Sequence, residues 1–230
     1  MTVTTTVPEK TTVPELAVDG SLPLTTETVA ALEAFCDTCE DAGPGAVGIV
    51  RLSGRPGSDA FAGATVHLVN KWERALRRME RMGAVTVAVV GGECGGPALE
   101  VLLATDYRVA VPESLLVPVG GPGTTWPGMS LYRFLHQAGA GAARRYALLG
   151  LPIRVERAGE LGLVDEVDAR AEEVAAQVAQ TLRSRSSREF AVRRQLLAEA
   201  SATTFDEALG RHLAACDREL RRGADGAVDA

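Results

Sequence analysis

The residues of this chain that are best suited to chemistry lie in a glycine-rich stretch, GGECGGPALE, at positions 91–100. Glycines ahead of a helix let backbone N–H groups approach a ligand closely, and such groups stabilise negative charge that develops during a reaction. Pro97 stands among them and has no N–H to donate. Glu100 offers an acid or base, and Cys94 offers a nucleophile if a base activates it. The stretch is therefore either a catalytic loop or the altered remains of one.

The cysteines favour structural roles over chemistry. No base or cation lies near Cys94 in the sequence, so we interpret it as a small buried residue. Cys36 and Cys39 form a CxxC inside a helical pattern, with no second pair and no neighbouring histidine. Zinc sites usually need four protein ligands, and this pair supplies two. We predict reduced cysteines and no metal site.

Composition sets limits on the class of protein. The chain has 230 residues, of which 46% are hydrophobic and 23% charged, with a net charge of −6. These values are typical of one globular domain with a full core and argue against nucleic-acid or anionic-membrane partners. No dinucleotide, P-loop, HExxH or GxSxG pattern is present. Residues 1–14, rich in Thr, Val and Pro, lack the order of a signal peptide. We expect them to be a disordered leader on a cytoplasmic protein.

Helical and strand patterns alternate through the first two thirds of the chain. Helices are predicted over residues 25–43, 65–82 and 97–106, and strands over 45–54 and 84–91. The second strand pattern is apolar throughout, as in a strand covered on both faces. Short strands and two shorter helices follow. This alternation predicts an α/β core, which we assign to residues 15–170.

The remainder of the chain has a different character. Residues 171–222 contain only helical patterns, and Thr204 and Glu207 have the spacing of a capping box. These helices are amphipathic and would expose an apolar stripe unless they pack on the core or on another subunit. We therefore predict a C-terminal all-helical oligomerisation region, followed by a disordered tail at residues 223–230.

Several motifs, in chain order, resemble the crotonase (enoyl-CoA hydratase/isomerase) superfamily. The glycine-rich stretch and PALEVLLATDYRVA resemble the family's NGxAxGGG loop, its xELALACD helix and the strand RVA that follows. VRLSG, AFAGATV, WPGM and ALLGLPIRVERAGELGLVDEV resemble further family motifs. The resemblance covers roughly residues 20–222. It implies a ClpP/crotonase ββα-superhelix core whose C-terminal helices usually form trimers.

The resemblance also implies a site for acyl-CoA thioesters. In the family, two backbone N–H groups hold the thioester oxygen while it becomes an enolate, forming an oxyanion hole. The first donor falls on Ala64 and is retained, although Thr65 replaces the family's aspartate and the adjoining loop is shortened. The second donor falls on Pro97 and is lost. Ala98 could substitute for it only if the loop were displaced.

The family's hydratases also use two glutamates to handle water as acid and base. Glu100 matches one of them, and we leave open whether it faces a pocket or is a structural carboxylate. The position of the second glutamate falls on Gly120. With a donor and a carboxylate both missing, we do not expect ordinary hydratase activity.

Within the family, the size and altered motifs resemble the small accessory proteins of dihydroxyphenylglycine biosynthesis in producers of glycopeptide antibiotics. Such a protein assists a type III polyketide synthase that makes 3,5-dihydroxyphenylacetyl-CoA. Two alternatives stay open: an active enzyme that dehydrates or aromatises a polyketide-CoA through Glu100, and a structural subunit of a mixed crotonase oligomer. We expect no bound cofactor and a coenzyme A thioester as possible ligand. The expected partners are further copies in a trimer or hexamer, the synthase, or other crotonase-like proteins.

Overall fold

The protein alternates strands and helices and ends in three consecutive helices. The computed structural model describes residues 13–43, 45–57, 63–118, 128–183, 187–200 and 203–228. The strands are β1 (Glu15–Asp19), β2 (Val47–Gly54), β3 (Val85–Gly95), β4 (Tyr107–Ala110), β5 (Leu115–Val117), β6 (Ile153–Arg154) and β7 (Glu166–Val167). The helices are α1 (Thr26–Asp41), α2 (Val66–Met79), α3 (Gly96–Ala104), α4 (Ser130–Ala142), α5 (Val155–Glu160), α6 (Ala171–Arg183), α7 (Ser187–Ala200) and α8 (Phe205–Val228). A π-helical turn, Ala143–Leu148, follows α4 directly.

The strands form one sheet whose main path is parallel, in the order β1-β2-β3-β4-β7. On one face of β3, Val85, Val87 and Val89 pack against the alanines of α6. On the other face, Ala88 and Val90 belong to the larger core with α1, α2 and α3. The β3 strand is thus covered on both sides, and the predicted α/β fold is confirmed.

The glycine-rich stretch is in large part strand, which corrects the expectation of a loop. The pairing of β3 with β2 is interrupted beyond Val90 and resumes where Gly54 faces Cys94. Residues Glu93 to Gly95 then pair in parallel with β5. Gly92 has φ +69°, a conformation that favours glycine, so it lets the strand bend and change partners.

The helix termini follow the sequence signals. Thr25 and Thr65 cap α1 and α2 by accepting backbone N–H bonds three residues on. The capping box before α8 is present, since Glu207 accepts from the Thr204 N–H at 3.0 Å. The predicted tail is wrong for residues 223–228, because α8 runs to Val228. Of the predicted leader, residues 1–12 lie outside the described residues.

One arginine attaches α7 to the core. Arg194 of α7 donates to three carbonyl oxygens in the turn between α2 and β3, those of Glu80, Met82 and Ala84, at 2.9–3.3 Å. It also donates to Asp106 at 2.8 Å, and Asp106 accepts from the N–H and hydroxyl of Thr86 at 2.8 and 2.9 Å. Arg194 thus supplies a donor to each of these three carbonyl oxygens.

The last helix leaves an apolar stripe in solvent. Its exposed members are Phe205, Leu209, Leu213 and Leu220, with side chains 42–79% exposed. Their spacing of four, four and seven residues places them on one face of α8. The amphipathic character predicted for residues 171–222 is confirmed for α6 and α8, and α7 shows little of it. No helix among the described residues has the length and apolarity that a membrane crossing requires.

The close crossing of the chain at Gly20 provides a test of this architecture. A Cβ atom at Gly20 would lie 2.0 Å from the carbonyl oxygen of Gly95 and 2.9 Å from that of Gly54. Because backbone atoms cannot move aside cheaply, we expect Gly20→Ala to lower the free energy of unfolding by about 3 kcal/mol. Urea denaturation measures this change.

Gly83→Ala is the matched control. No atom lies within 4 Å of a Cβ placed there, and the position is exposed. We expect a change between zero and a stabilisation of about 1 kcal/mol. Equal effects of the two substitutions would contradict the close crossing at Gly20.

Candidate active site

The carboxylate of Glu100 lies at the junction of three helices. Glu100 is fully buried in α3. The indole N–H of Trp72, on α2, donates to its Oε2 at 2.7 Å. The backbone N–H of Ser130, the first residue of α4, donates to its Oε1 at 3.1 Å. Each carboxylate oxygen therefore accepts a hydrogen bond from a different neighbouring helix.

The N-terminus of α4 needs an acceptor for its first N–H groups. The first N–H groups of a helix have no partner within the helix, and the N-cap residue Met129 supplies no side-chain bond. Two glutamates from other helices take this role. Glu73 of α2 accepts from the Met129 N–H at 2.7 Å, and Glu100 accepts from the Ser130 N–H. Negative charge is stabilised at a helix N-terminus, so both carboxylates suit this place.

A second ionic group reinforces the contact between α2 and α4. Arg133 of α4, with 8% of its side chain exposed, lies 2.9 Å from Glu73 and 2.7 Å from Glu80. Removing one partner of such a partly buried ion pair destabilises the fold, because the other charge then stays buried without a partner. The two helices are thus held by two adjoining polar clusters, one around Glu100 and one around Arg133.

Pro97 lies in the first turn of α3, as the sequence predicts, and it is buried. Proline suits this turn, because the missing N–H would have no partner within the helix. Gly96, just before it, has φ +52°, which favours glycine. Ala98 is buried in the same turn. At the position assigned from the sequence motifs to the second oxyanion donor, the backbone therefore has no N–H.

The first predicted donor lies at the entry to α2. Ala64 is half-buried and directly precedes the N-cap Thr65. The Thr65 hydroxyl accepts from the Leu68 N–H at 3.2 Å, so the residue that replaces the family's aspartate serves the helix. Gly120, the position predicted to have lost the second glutamate, lies outside the described residues.

The cysteines of the core are poor nucleophiles. Cys94 is fully buried in β3, and burial raises the pKa of its thiol far above the ordinary value. Burial also raises the pKa of Cys36 to about 11 and that of Cys39 to about 12. The thiolate is the reactive form, so these thiols are inert near neutral pH. Among the described residues, no group of three or more His, Cys, Asp or Glu side chains is placed to hold a metal.

The partners of Glu100 were not foreseen from the sequence. Trp72 lies 28 positions away, and Ser130 contributes a backbone group, which no side-chain pattern can reveal. A signal was available for Trp72 alone. An indole N–H on the buried face of a helix needs an acceptor, and Glu100 is the carboxylate in an otherwise apolar neighbouring helix.

Comparison with known proteins identifies the family of this chain. The family model for enoyl-CoA hydratase/isomerase matches residues 62–220. The chain belongs to this family. An enoyl-CoA hydratase of Amycolatopsis orientalis is 49% identical over 211 residues, which cover 91% of this chain and 96% of that protein. The similarity therefore spans the helical region as well as the α/β core.

Solved structures confirm the crotonase-type fold predicted from the motifs. An enoyl-CoA hydratase from Polaromonas sp. JS666 matches with a TM-score of 0.75 at 19% identity, covering 86% of this chain and 83% of its own. An enoyl-CoA hydratase from Bacillus anthracis matches with a TM-score of 0.73 at 18% identity, covering 85% and 81%. At such identities the likeness concerns the fold alone.

The Glu100 cluster can be tested by a double-mutant cycle. In Glu100→Gln, an amide N–H₂ replaces one acceptor and faces a donor, so we expect the free energy of unfolding to fall by about 2–3 kcal/mol. Trp72→Phe removes the donor that faces Oε2. If the two side chains interact directly, the double variant loses less than the sum of the single losses. Urea denaturation of all four proteins gives the coupling.

Glu33→Gln is the control, because Glu33 is an exposed glutamate on α1. It should change the free energy of unfolding by no more than about 0.5 kcal/mol. A coupling of zero between Glu100 and Trp72 would contradict the hydrogen bond.

Thiol reactivity provides a separate test. Of the four cysteines, Cys216 is exposed and the other three are buried. The test is carried out at pH 8, below the raised pKa of Cys36 and Cys39. We expect a disulfide reagent to label one thiol per folded chain, and four thiols per chain unfolded in guanidinium. Cys216→Ser should remove the rapid labelling. Rapid reaction of Cys94 in the folded protein would contradict its assignment as an inert core residue.

Proposed function

We propose that this member of the enoyl-CoA hydratase/isomerase family does not carry out ordinary hydration. Its role would be to assist a type III polyketide synthase that makes 3,5-dihydroxyphenylacetyl-CoA, in the dihydroxyphenylglycine branch of glycopeptide antibiotic biosynthesis. It would act in the bacterial cytoplasm and bind the synthase or its coenzyme A thioester product through a retained crotonase scaffold.

The engagement of Glu100 carries the first part of this proposal. A general base must come within hydrogen-bond reach of the proton that it abstracts. Glu100 has no exposed surface, and both of its oxygens already accept bonds from Trp72 and Ser130. To act on substrate water, its carboxylate would have to become accessible from a position in which the side chain is fully buried. A structural role accounts for the bonds from Trp72 and Ser130.

Pro97 supports the same conclusion. A single oxyanion donor typically contributes about 3 kcal/mol to the stabilisation of the transition state, or roughly a hundredfold in rate. The matching position here has no N–H to offer. The sequence also has glycine at position 120, where the family pattern has its second glutamate.

The exposed apolar faces support a role in an assembly. The α8 stripe is one such face, and α4 presents another through Leu131, Tyr132 and Leu135, which are 44–52% exposed. Contiguous apolar surface on a globular protein commonly marks an interaction site. Such faces suit a homo-oligomer, a complex with the synthase, or a place as structural subunit beside other crotonase-like proteins.

An active enzyme is the second candidate, and the relative from Amycolatopsis orientalis favours it. That protein is called an enoyl-CoA hydratase and is 49% identical. This chain would then dehydrate or aromatise a polyketide-CoA with Glu100 and the Ala64 N–H. The chemistry would require the buried carboxylate of Glu100 to become accessible to the substrate.

Reconstitution with a type III polyketide synthase separates the two candidates. We expect addition of the purified protein to raise the yield of aromatic product, while the protein alone leaves crotonyl-CoA unhydrated. Glu100→Gln, used at a temperature where circular dichroism shows it folded, should retain the enhancement. Pro97→Gly, which restores a backbone N–H, should leave the enhancement unchanged. Chromatography of the thioesters follows both reactions.

Two outcomes would contradict the helper proposal. Unchanged product yield on addition of the protein would remove the assignment to the synthase. Hydration of crotonyl-CoA that disappears in folded Glu100→Gln would establish the active-enzyme candidate instead.

A further inference from the structure

A cavity of about 730 Å³ lies where the end of α4, the π-helical turn and α5 meet. Three arginines border it: Arg144, Arg145 and Arg157. Its apolar wall includes Tyr146, Leu148 and Leu149. Among the described residues that line it, Ala64, Pro97, Ala98 and Glu100 do not occur.

Two backbone irregularities shape this cavity. Gly139 has φ 79° and ψ 167°, so α4 is interrupted before its end. From Ala143 to Leu148 the chain then forms a π-helical turn. A π-helical turn carries one more residue per hydrogen-bonded ring than an α-helix, which changes the direction of the side chains that follow. Arg144 and Arg145 lie in this turn, while Tyr146 and Ala147 of the same turn are buried in the core.

The charges around the cavity are unbalanced. Arg157 pairs with Glu160. Neither Arg144 nor Arg145 forms an ion pair with a carboxylate of the residues that the structure describes, and both are exposed. The Arg145 guanidinium lies 5.5 Å from the centroid of the Tyr146 ring, within range of a cation–π contact. Two positive charges thus border an apolar cavity in a chain whose net charge is −6.

We propose that this cavity binds a small molecule that has an oxyanion headgroup, a carboxylate or a phosphate, on an apolar body. Arg144 and Arg145 would bind the headgroup, because the planar guanidinium fork matches both anions. Leu148, Leu149 and the Tyr146 ring would contact the apolar body. The volume is within the range of small-molecule sites, about 300–1,000 Å³. The inference does not depend on the function proposed above.

Calorimetric titration of the full-length protein with three eight-carbon probes tests this proposal. The probes are octanoate, octyl phosphate and neutral octanol. We expect at least one anion to bind about tenfold more tightly than octanol, and the tighter anion identifies the headgroup. Its affinity should fall as sodium chloride is raised, because the guanidinium groups are exposed to solvent.

The variant Arg144→Gln/Arg145→Gln should weaken binding of that anion by about tenfold or more without lowering the melting temperature, because both side chains lie on the surface. Arg81→Gln is the matched control, an exposed arginine that does not line the cavity, and it should bind like the wild type. Arg145→Lys, which keeps the charge, should retain more affinity than Arg145→Gln.

Three outcomes would overturn the proposal. The first is octanol binding as tightly as both anions, and the second is the double glutamine variant binding like the wild type. The third is the absence of binding by either anion up to about 10 mM, a free energy of association weaker than about −3 kcal/mol.

Discussion

One buried carboxylate joins all three of α2, α3 and α4. A charged group inside an apolar core is destabilising by several kcal/mol unless hydrogen bonds replace its water. Glu100 receives one such bond from the Trp72 indole and another from the first N–H of α4. These bonds also satisfy a buried indole and the orphan N–H of a helix end. Since each partner would be costly without the others, the three helices have one favourable arrangement.

The glycines beside Glu100 serve the same close packing. At Gly95, a Cβ atom would lie 2.6 Å from a ring carbon of Pro56 and 2.9 Å from the carbonyl oxygen of Val117. At Gly20, it would meet the Gly95 carbonyl oxygen. The chain therefore needs glycine here so that the ends of β1, β3 and β5 can approach one another. Glycine-rich sequence of this kind reports close backbone contact, whether or not a ligand also lies near.

Features that repeat along the chain can be predicted from the sequence. Contacts between residues that are far apart in the chain cannot. Helical and strand periods placed α1, β2, α2 and α3 within a few residues, because one buried face determines each pattern. The change of partner in β3 was missed, since it depends on the pairing of Glu93 to Gly95 with β5. The Arg194 contacts bridge more than 80 positions and end mostly on carbonyl oxygens, which every residue carries. Within the site, the position of Pro97 was predictable, and the two donors to Glu100 were not.

A family glutamate can persist in a sequence for reasons other than catalysis. The N-cap residue of α4 gives no side-chain bond, and carboxylates from α2 and α3 supply what a local serine or aspartate would provide. Replacing Glu100 would leave α4 without one of these acceptors, so stability alone is enough to retain it. Catalysis makes the opposite demand, an oxygen open to substrate. The buried position of Glu100 meets the first demand, because its two oxygens accept from Trp72 and Ser130 between the helices.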